Sequence, residues 1–259
     1  MRNLRAKRAF VIDMDGVIYH GERLLPGARE FVEWLKRENK AFLFLTNNRV
    51  RAPAELRQKL ERMGMDVAER HFYTSALATA DFLSRQKPGG SAYVIGGRGL
   101  VQALQDAGFT ITDAAPDYVV VGETDTYNFQ RLTRAINLVR AGARLIGANP
   151  DLTGPDASGI VPATGALMAP IELSTGAHAF YVGKPNPLMM RHALKRLGTQ
   201  REDTAIIGDR MDTDIIAGVE SEITTVLVLS GVTTREDLTR FAYRPDYILD
   251  GVGDIAASQ

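Results

Sequence analysis

Residues 10–17 read FVIDMDGV, and this stretch decides the fold that we predict. The apolar run at 9–12 lacks polar alternation, which is typical of a strand covered on both faces of a parallel sheet. Asp13 and Asp15 follow at its carboxyl end, and Gly16 permits a sharp turn. Because residues i and i+2 of an extended chain project to the same side, both carboxylates can face one site. Taken alone, the stretch could equally be a turn with two solvated acids.

Three further apolar runs, at 41–45, 205–207 and 225–229, have the same character. Helical spacing of apolar residues lies between such runs, at 27–39 and at 53–63. This alternation of strands and helices predicts an α/β fold with a doubly wound parallel sheet, a Rossmann-like core.

The middle of the chain repeats the alternation but has no acidic strand-end motif. A turn-rich segment at 86–90, QKPGG, precedes most of it. We therefore predict an inserted α/β domain at 84–180, and a core domain formed by 1–83 and 181–259. An extension of the first sheet is the alternative.

The second apolar run ends in Thr46 and Asn47, small hydrogen-bonding residues that could hold phosphoryl oxygens. They could equally cap the following helix or form an Asx-turn. Lys184 lies in a turn between a glycine and a proline, where an immobilised ammonium could neutralise a phosphoryl group. Its alternative is an ordinary surface charge.

The fourth motif, IIGDRMDTD at 206–214, again places acids after a buried strand. Asp209 suits a magnesium ligand, because Mg²⁺ prefers oxygen ligands and takes only one or two protein carboxylates. Asp214 suits the outer shell of such a site. A helix N-terminus decorated with acids is the alternative.

Composition excludes several classes of function. Lys plus Arg and Asp plus Glu total 31 each, so the balanced charge indicates neither nucleic acid nor an anionic membrane as a partner. The chain has no Cys, which removes disulfides and cysteine nucleophiles and fits a reducing compartment. The apolar run after the basic N-terminus is too short for a signal peptide, so we expect a cytoplasmic protein.

The four motifs in this order resemble the haloacid dehalogenase superfamily of phosphotransferases. Intermediate segments resemble its NagD-type subfamily, over essentially the whole chain; they are FYTSA at 72–76, VGET at 121–124, ANPD at 148–151, GAL at 165–167 and YVGKP at 181–185. The resemblance implies a phosphatase with an aspartyl-phosphate intermediate and an inserted cap domain that selects the substrate.

The resemblance also implies a role for each motif. Asp13 would be the nucleophile, Asp15 the general acid and then base, and Asp209 a ligand of Mg²⁺ beside Asp13 and the backbone carbonyl of Asp15. Asp214 would lie in the second shell of the metal. The residues that would hold phosphate or line its site are Thr46, Asn47, Lys184, Arg210, Met211, Asp212 and Thr213.

A small phosphomonoester is the expected partner, with nucleoside monophosphates such as UMP first and sugar phosphates, phosphoglycolate or aryl phosphates as alternatives. A homo-oligomer is compatible with the sequence. A phosphomutase or a phosphate-binding regulator would share these acids. A dinucleotide-binding protein, suggested by the glycines at 96–99, is disfavoured because Gln102 stands where the third glycine belongs.

Overall fold

The structure is a computed structural model that describes residues 1–47, 52–156 and 159–256. Contacts divide the chain into two compact units. The core unit comprises Met1–Thr46, Pro53–Tyr73 and Lys184–Gln259, and the second unit comprises Asn47–Ala52 and Thr74–Gly183.

Strands and helices alternate along the described residues, as predicted. The strands are β1 (Ala9–Ile12), β2 (Tyr19–His20), β3 (Arg23–Leu24), β4 (Ala41–Thr46), β5 (Phe72–Thr74), β6 (Ser91–Ile95), β7 (Thr110–Ile111), β8 (Tyr118–Val121), β9 (Arg144–Gly147), β10 (Thr153–Asp156), β11 (Gly159–Pro162), β12 (Phe180–Tyr181), β13 (Thr204–Gly208), β14 (Thr224–Val228) and β15 (Tyr247–Leu249). The helices are α1 (Arg2–Arg5), α2 (Ala28–Arg37), α3 (Pro53–Arg62), α4 (Ser75–Gln86), α5 (Arg98–Asp106), α6 (Phe129–Arg140), α7 (Thr164–Thr175), α8 (Pro187–Leu197), α9 (Ile216–Glu220) and α10 (Gly253–Ala256).

The core unit is built on a six-stranded sheet in the order β15-β14-β13-β1-β4-β5. Pairings from β15 through β4 are parallel, with Ala9 opposite both Thr204 and Ala41. Phe10 and Ile12 point into one hydrophobic cluster with residues of α2, α3 and α10. Val11, between them, is also fully buried. Both faces of the central strand are therefore covered, as the unbroken apolar run predicts.

The second unit has its own five-stranded sheet in the order β12-β9-β8-β6-β7, and all of its pairings are parallel. Helices α6 and α7 cover one face around Ile95, Val119 and Val121. The second unit also contains a separate two-stranded antiparallel sheet formed by β10 and β11.

The predicted α/β fold with a parallel core sheet is confirmed. The long stretch of the second unit spans Thr74–Gly183, whereas the predicted inserted domain spans 84–180, because α4 contacts α5 and joins the second unit. The second unit also takes in Asn47–Ala52, which the prediction assigned to the core. The longest described helices, α4, α6 and α7, have 12 residues each. No helix in the described part of the chain has the length and apolar character that a membrane crossing requires.

Asp117 joins the starts of two strands in the second unit. Its carboxylate accepts hydrogen bonds from the backbone N–H of Ser91 at 2.9 Å and the Ser91 hydroxyl at 3.0 Å, and from the ammonium of Lys87. The hydrogen bonds from Lys87 and Ser91 lower the pKa of Asp117 from 3.8 to about 2. Since the folded state binds protons more weakly, the carboxylate stabilises the fold above pH 4, and this contribution is lost as pH falls through 2.

We predict that Asp117→Ala lowers the free energy of unfolding by about 1 kcal/mol at pH 7. The difference from the wild type should shrink as the pH falls from 4 to 2. Denaturant titrations at several pH values measure this. Asp113→Ala is the matched control, because Asp113 is 68% exposed and pairs only with Arg134 among the described ion pairs. A loss at pH 7 no larger than that of the control would contradict the prediction.

Candidate active site

Three carboxylates converge at the carboxyl edge of the core sheet. Asp13 directly follows β1, and its N–H extends the ladder to the neighbouring strand by donating to Ile207 O at 2.8 Å. Asp209 follows β13, and a π-helical turn at Met211–Ile215 brings Asp214 back toward the strand end. One carboxylate oxygen of each acid lies within 4.8 Å of the other two. The parallel pairing of β1 with β13 thus brings together acids from opposite ends of the sequence.

Lys184 is buried among these acids. Its Nζ donates to Asp13 Oδ1 at 2.5 Å, to Asp214 Oδ1 at 2.7 Å and to the backbone oxygen of Leu45 at 3.2 Å. Only 4% of its side chain is exposed. An ammonium has three protons, and these three acceptors match that number.

Burial and mutual repulsion set the protonation of the acids. Burial raises the pKa of Asp13 well above its ordinary value, Lys184 opposes this, and Asp214 and Asp209 add to it. Burial, with the charge of Asp214, raises the pKa of Asp209 to about 7. Burial alone would lower the pKa of the Lys184 ammonium, but Asp13 and Asp214 raise it overall. The cluster thus carries more negative than positive charge when its acids are ionised.

These residues fit a divalent cation that prefers oxygen ligands. Three carboxylates against one ammonium leave an excess of negative charge in a buried place, which a cation would offset. Asp214 already accepts from Lys184 through Oδ1 and from the Arg210 N–H through Oδ2, at 3.1 Å. Asp13 and Asp209 are therefore the better candidates for direct ligands, and Asp214 fits a place just outside them.

Asp15 has different surroundings from the buried acids. Its side chain is 43% exposed, and His20 Nδ1 lies 3.6 Å from its Oδ1. Burial raises the pKa of Asp15, while the charges of Lys59 and His20 lower it. The turn is held by the Gly16 N–H, which donates to Tyr19 O at 2.8 Å. Asp15 thus combines access to solvent with an environment that favours its protonated form.

The residues predicted after Asp209 do not all reach the site. Arg210 forms a two-pronged pair with Asp212 at 3.0 and 2.8 Å. Met211 is buried in a hydrophobic cluster, and its N–H donates to Thr233 Oγ1 at 3.3 Å. Its carbonyl accepts from the Tyr243 hydroxyl at 2.9 Å. This geometry does not support the prediction that Met211 binds phosphate, because its backbone groups already have partners and its side chain is in the core.

Thr213 is buried within the π-helical turn, and Thr46 is buried at the end of β4. Asn47 belongs to the second unit. Its Nδ2 donates to Asp151 Oδ2 at 2.9 Å, and its carbonyl accepts from Asn149 Nδ2 at 3.0 Å. The amide of Asn47 is thus engaged by its own unit, and its predicted contact with phosphate stays a prediction.

Sequence reasoning missed the loop 230–233, which follows β14 at the same edge. Val232 N–H donates to Asp209 Oδ2 at 2.7 Å, and Thr233 N–H donates to Asp209 O at 3.1 Å. The Ser230 hydroxyl donates to Gly16 O at 2.7 Å. The available signal was the residue order Ser-Gly-Val-Thr after an apolar run, which resembles the other strand ends.

Two family descriptions match the chain. Residues 10–110 match haloacid dehalogenase-like hydrolase, and residues 181–255 match HAD-hydrolase-like. Both stretches contain acids of the cluster described above.

Similar proteins are phosphatases by name. A dihydroxyacetone phosphatase of Corynebacterium glutamicum is 46% identical over 248 residues, which are 96% of this chain and 90% of that protein. The ribonucleotide monophosphatase NagD of Escherichia coli K12 is 43% identical over 95% of this chain and 96% of its own length. An acid sugar phosphatase of Staphylococcus aureus is 37% identical over 98% of both proteins.

Solved structures agree with these sequence matches. NagD from Escherichia coli K-12 superposes with a TM-score of 0.91 at 42% identity, covering 96% of this chain and 98% of that one. A 4-nitrophenylphosphatase from Thermotoga maritima gives a TM-score of 0.94 at 37% identity, with 98% of each chain covered.

We predict that Lys184→Met destabilises the protein without divalent cations at pH 8, by about 3 kcal/mol. The substitution keeps the bulk of the side chain but leaves Asp13 and Asp214 buried without their counter-charge. Urea unfolding in EDTA measures the loss. Lys195→Met, at an exposed position of α8, is the control. Equal unfolding midpoints for the two variants would show that the buried ion pairs do not stabilise the fold.

Proposed function

We propose that this chain, which belongs to the haloacid dehalogenase-like hydrolases of the NagD type and is a phosphoric monoester hydrolase, works through an aspartyl-phosphate on Asp13. Its substrates are small phosphomonoesters. The observation that carries the proposal is the buried cluster in which Lys184 lies 2.5 Å from Asp13 and 2.7 Å from Asp214. The fixed positive charge of Lys184 reduces the repulsion between the Asp13 carboxylate and an anionic phosphate, so that the carboxylate can approach phosphorus.

In the first step, a carboxylate oxygen of Asp13 attacks phosphorus and the ester P–O bond breaks. The leaving oxygen takes a proton from Asp15, whose half-exposed carboxyl has a raised pKa. The products are a phosphorylated Asp13, an alcohol and an ionised Asp15. Proton donation lowers the energy barrier of the cleavage, because the leaving group departs as an alcohol and not as an unstable alkoxide.

In the second step, Asp15 takes a proton from water and the hydroxide attacks the phosphorus of the aspartyl-phosphate. The bond between phosphorus and the Asp13 oxygen breaks, which releases inorganic phosphate and restores both carboxyl groups. The same residue serves as acid and then as base, so the enzyme returns to its starting protonation state.

We propose that Asp13, Asp209 and the backbone carbonyl of Asp15 hold Mg²⁺, with Asp214 outside the ligand set. When bound, the cation offsets the repulsion between the anionic nucleophile and the anionic phosphate. The support is the trio of acids with oxygens within 4.8 Å of one another, and the hydrogen bonds that already occupy both oxygens of Asp214.

Phosphate is held, in this proposal, by Thr46 and Lys184. Both are buried core-unit residues, and Lys184 carries the positive charge nearest to Asp13 in the described part of the chain. In the same proposal Thr213 lines the site, together with Arg210 and Asp212, which pair with each other. Asn47 is a further candidate through its position directly after Thr46.

For the substrate, we propose nucleoside monophosphates such as UMP first, within a broad specificity. The support is the NagD relative, a ribonucleotide monophosphatase at 43% identity. Dihydroxyacetone phosphate and sugar phosphates are alternatives from the other relatives, and aryl phosphates from the structural neighbour.

A panel of UMP, dihydroxyacetone phosphate, a hexose phosphate, phosphoglycolate and 4-nitrophenyl phosphate tests the function. We predict Mg²⁺-dependent release of inorganic phosphate that EDTA abolishes. Asp13→Asn should lose at least about a thousandfold in kcat, because it removes the attacking carboxylate. Inorganic phosphate is measured by a colorimetric assay.

The control is Asp66→Asn, which changes an exposed acid of the core unit. Circular dichroism checks that Asp13→Asn keeps its fold. Normal phosphate release by Asp13→Asn would falsify the mechanism. Phosphate that moves between substrate positions without release would indicate a mutase, and binding without turnover would indicate a regulator.

We predict that Asp15→Asn loses far more activity toward UMP than toward 4-nitrophenyl phosphate in the phosphorylation step. A nitrophenolate leaves without a proton, whereas the ribose oxygen of UMP needs one. Because the base for the second step is also missing, phosphorylated enzyme should accumulate with the aryl substrate. Intact-protein mass spectrometry detects the added phosphoryl group. Equal losses with both substrates, and no phosphoenzyme, would sink the role given to Asp15.

A further inference from the structure

The loop 230–233 fixes one side of the Asp209 carboxylate. Val232 N–H donates to its Oδ2 at 2.7 Å, and Val232 is a largely exposed residue, at 67%, so this contact is made by the backbone. Thr233 holds the backbone of Asp209 through the N–H donated to its carbonyl at 3.1 Å. The Ser230 hydroxyl ties the loop to Gly16 O at 2.7 Å. The loop therefore joins Asp209 to the turn that follows Asp13.

Two glycines press against the same carboxylate. A Cβ on Gly231 would lie 2.5 Å from Cγ and 2.6 Å from Cβ of Asp209. A Cβ on Gly16 would lie 2.5 Å from Asp209 Oδ2 and 3.0 Å from the Cα of Gly231. Real Cβ atoms do not approach other heavy atoms this closely. Asp209 is thus clamped between two backbone segments that leave no room for a side chain.

Gly231 is required for packing and not for its backbone conformation. Gly16 has a φ of +77°, which favours glycine by itself, but Gly231 lies outside the left-handed region. The cost of a methyl group at position 231 is therefore its collision with Asp209. The three heavy atoms nearest to such a Cβ all belong to Asp209, so a substitution of Gly231 acts first on this side chain.

We propose that the clamp formed by Gly16, Gly231 and the Val232 N–H presents a single oxygen of Asp209 to the cation, and thereby selects Mg²⁺ over Ca²⁺. The proposal rests on the proposed function, in which Asp209 is a metal ligand. Mg²⁺ demands near-octahedral geometry with short bonds to single oxygens. Ca²⁺ takes more ligands, often both oxygens of one carboxylate, in flexible geometry. In Asp209 the Oδ2 atom accepts a hydrogen bond from Val232 and packs against Gly16 and Gly231, which leaves one oxygen for a metal and so favours Mg²⁺.

The test compares metal binding by the purified chain of 259 residues, without substrate, by calorimetric titration with MgCl₂ or CaCl₂. Gly231→Ala should lower Mg²⁺ affinity about tenfold or more, as changes next to metal ligands do. Ca²⁺ affinity should fall much less, because Ca²⁺ tolerates a rotated carboxylate. The ratio of the two affinities should therefore drop, and Ser230→Ala should shift it in the same direction by a smaller factor.

Gly251→Ala is the matched control, because a Cβ there meets nothing within 4 Å and its φ is not in the left-handed region. It should keep the wild-type ratio. An unchanged ratio in Gly231→Ala, or an equal loss of both ions, overturns the proposal. If Gly231→Ala fails to fold by circular dichroism in EDTA, the ratio in Ser230→Ala decides. A wild-type chain that binds no Mg²⁺ overturns the proposed metal dependence instead, so the two failures are distinguishable.

Discussion

The ion pairs of Lys184 with Asp13 and Asp214 are the constraint on which the site depends. Buried carboxylates repel one another and lose their hydration, and both effects raise the pKa of Asp13 and Asp209. One ammonium with 4% of its side chain exposed holds two of these acids within 2.7 Å. Three ionised carboxylates beside one ammonium leave an excess of negative charge, while Lys184 donates hydrogen bonds to Asp13, Asp214 and the backbone oxygen of Leu45. Sites of this kind serve catalysis because they gain from a bound cation or an incoming reactant.

Parallel strands explain why the acids meet. β1 and β13 lie side by side and end at the same edge, so Asp13 and Asp209 come together without a special loop. The next strand outward, β14, delivers the loop that clamps Asp209. Three neighbouring strand ends therefore supply the proposed nucleophile, the candidate metal ligand and the backbone that orients this ligand. The candidate active-site residues therefore lie directly after the carboxyl ends of these three strands.

Much of this could be predicted from the sequence. The run at 9–12 gives β1 with its observed limits, and the run at 41–45 gives β4 except for its last residue, Thr46. Acids and a lysine at strand ends are visible as residue types, so Asp13, Lys184 and Asp209 could be chosen beforehand. The contact of Lys184 with Asp13 and Asp214 depends on how distant segments pack, which local patterns do not encode.

Other features of the candidate active site could not be recognised from the types of residue in the sequence. The family resemblance implies a place for Met211 in the lining of the site, yet its side chain packs in a hydrophobic cluster. Val232 acts through its backbone N–H, and Gly231 through the absence of a side chain, so neither has a chemical group to recognise. Asn47 follows the core strand β4 but bonds within the second unit, which its sequence position does not reveal.

The order of strands in the core sheet also determines the point in protein synthesis at which the acidic cluster can form. β1 pairs with β13, with Ala9 opposite Thr204, although all of the second unit lies between these two strands in the sequence. At a synthesis rate of about 5–20 residues per second, the wait between these strands is on the order of ten seconds or more. The strands β6 to β12 of the second unit have all been synthesised once Gly183 is added, so this unit has every strand of its sheet before β13 exists. Asp13 and Asp209 therefore come together only after the second unit and β13 have been synthesised, and a chain interrupted before that point lacks the acidic cluster.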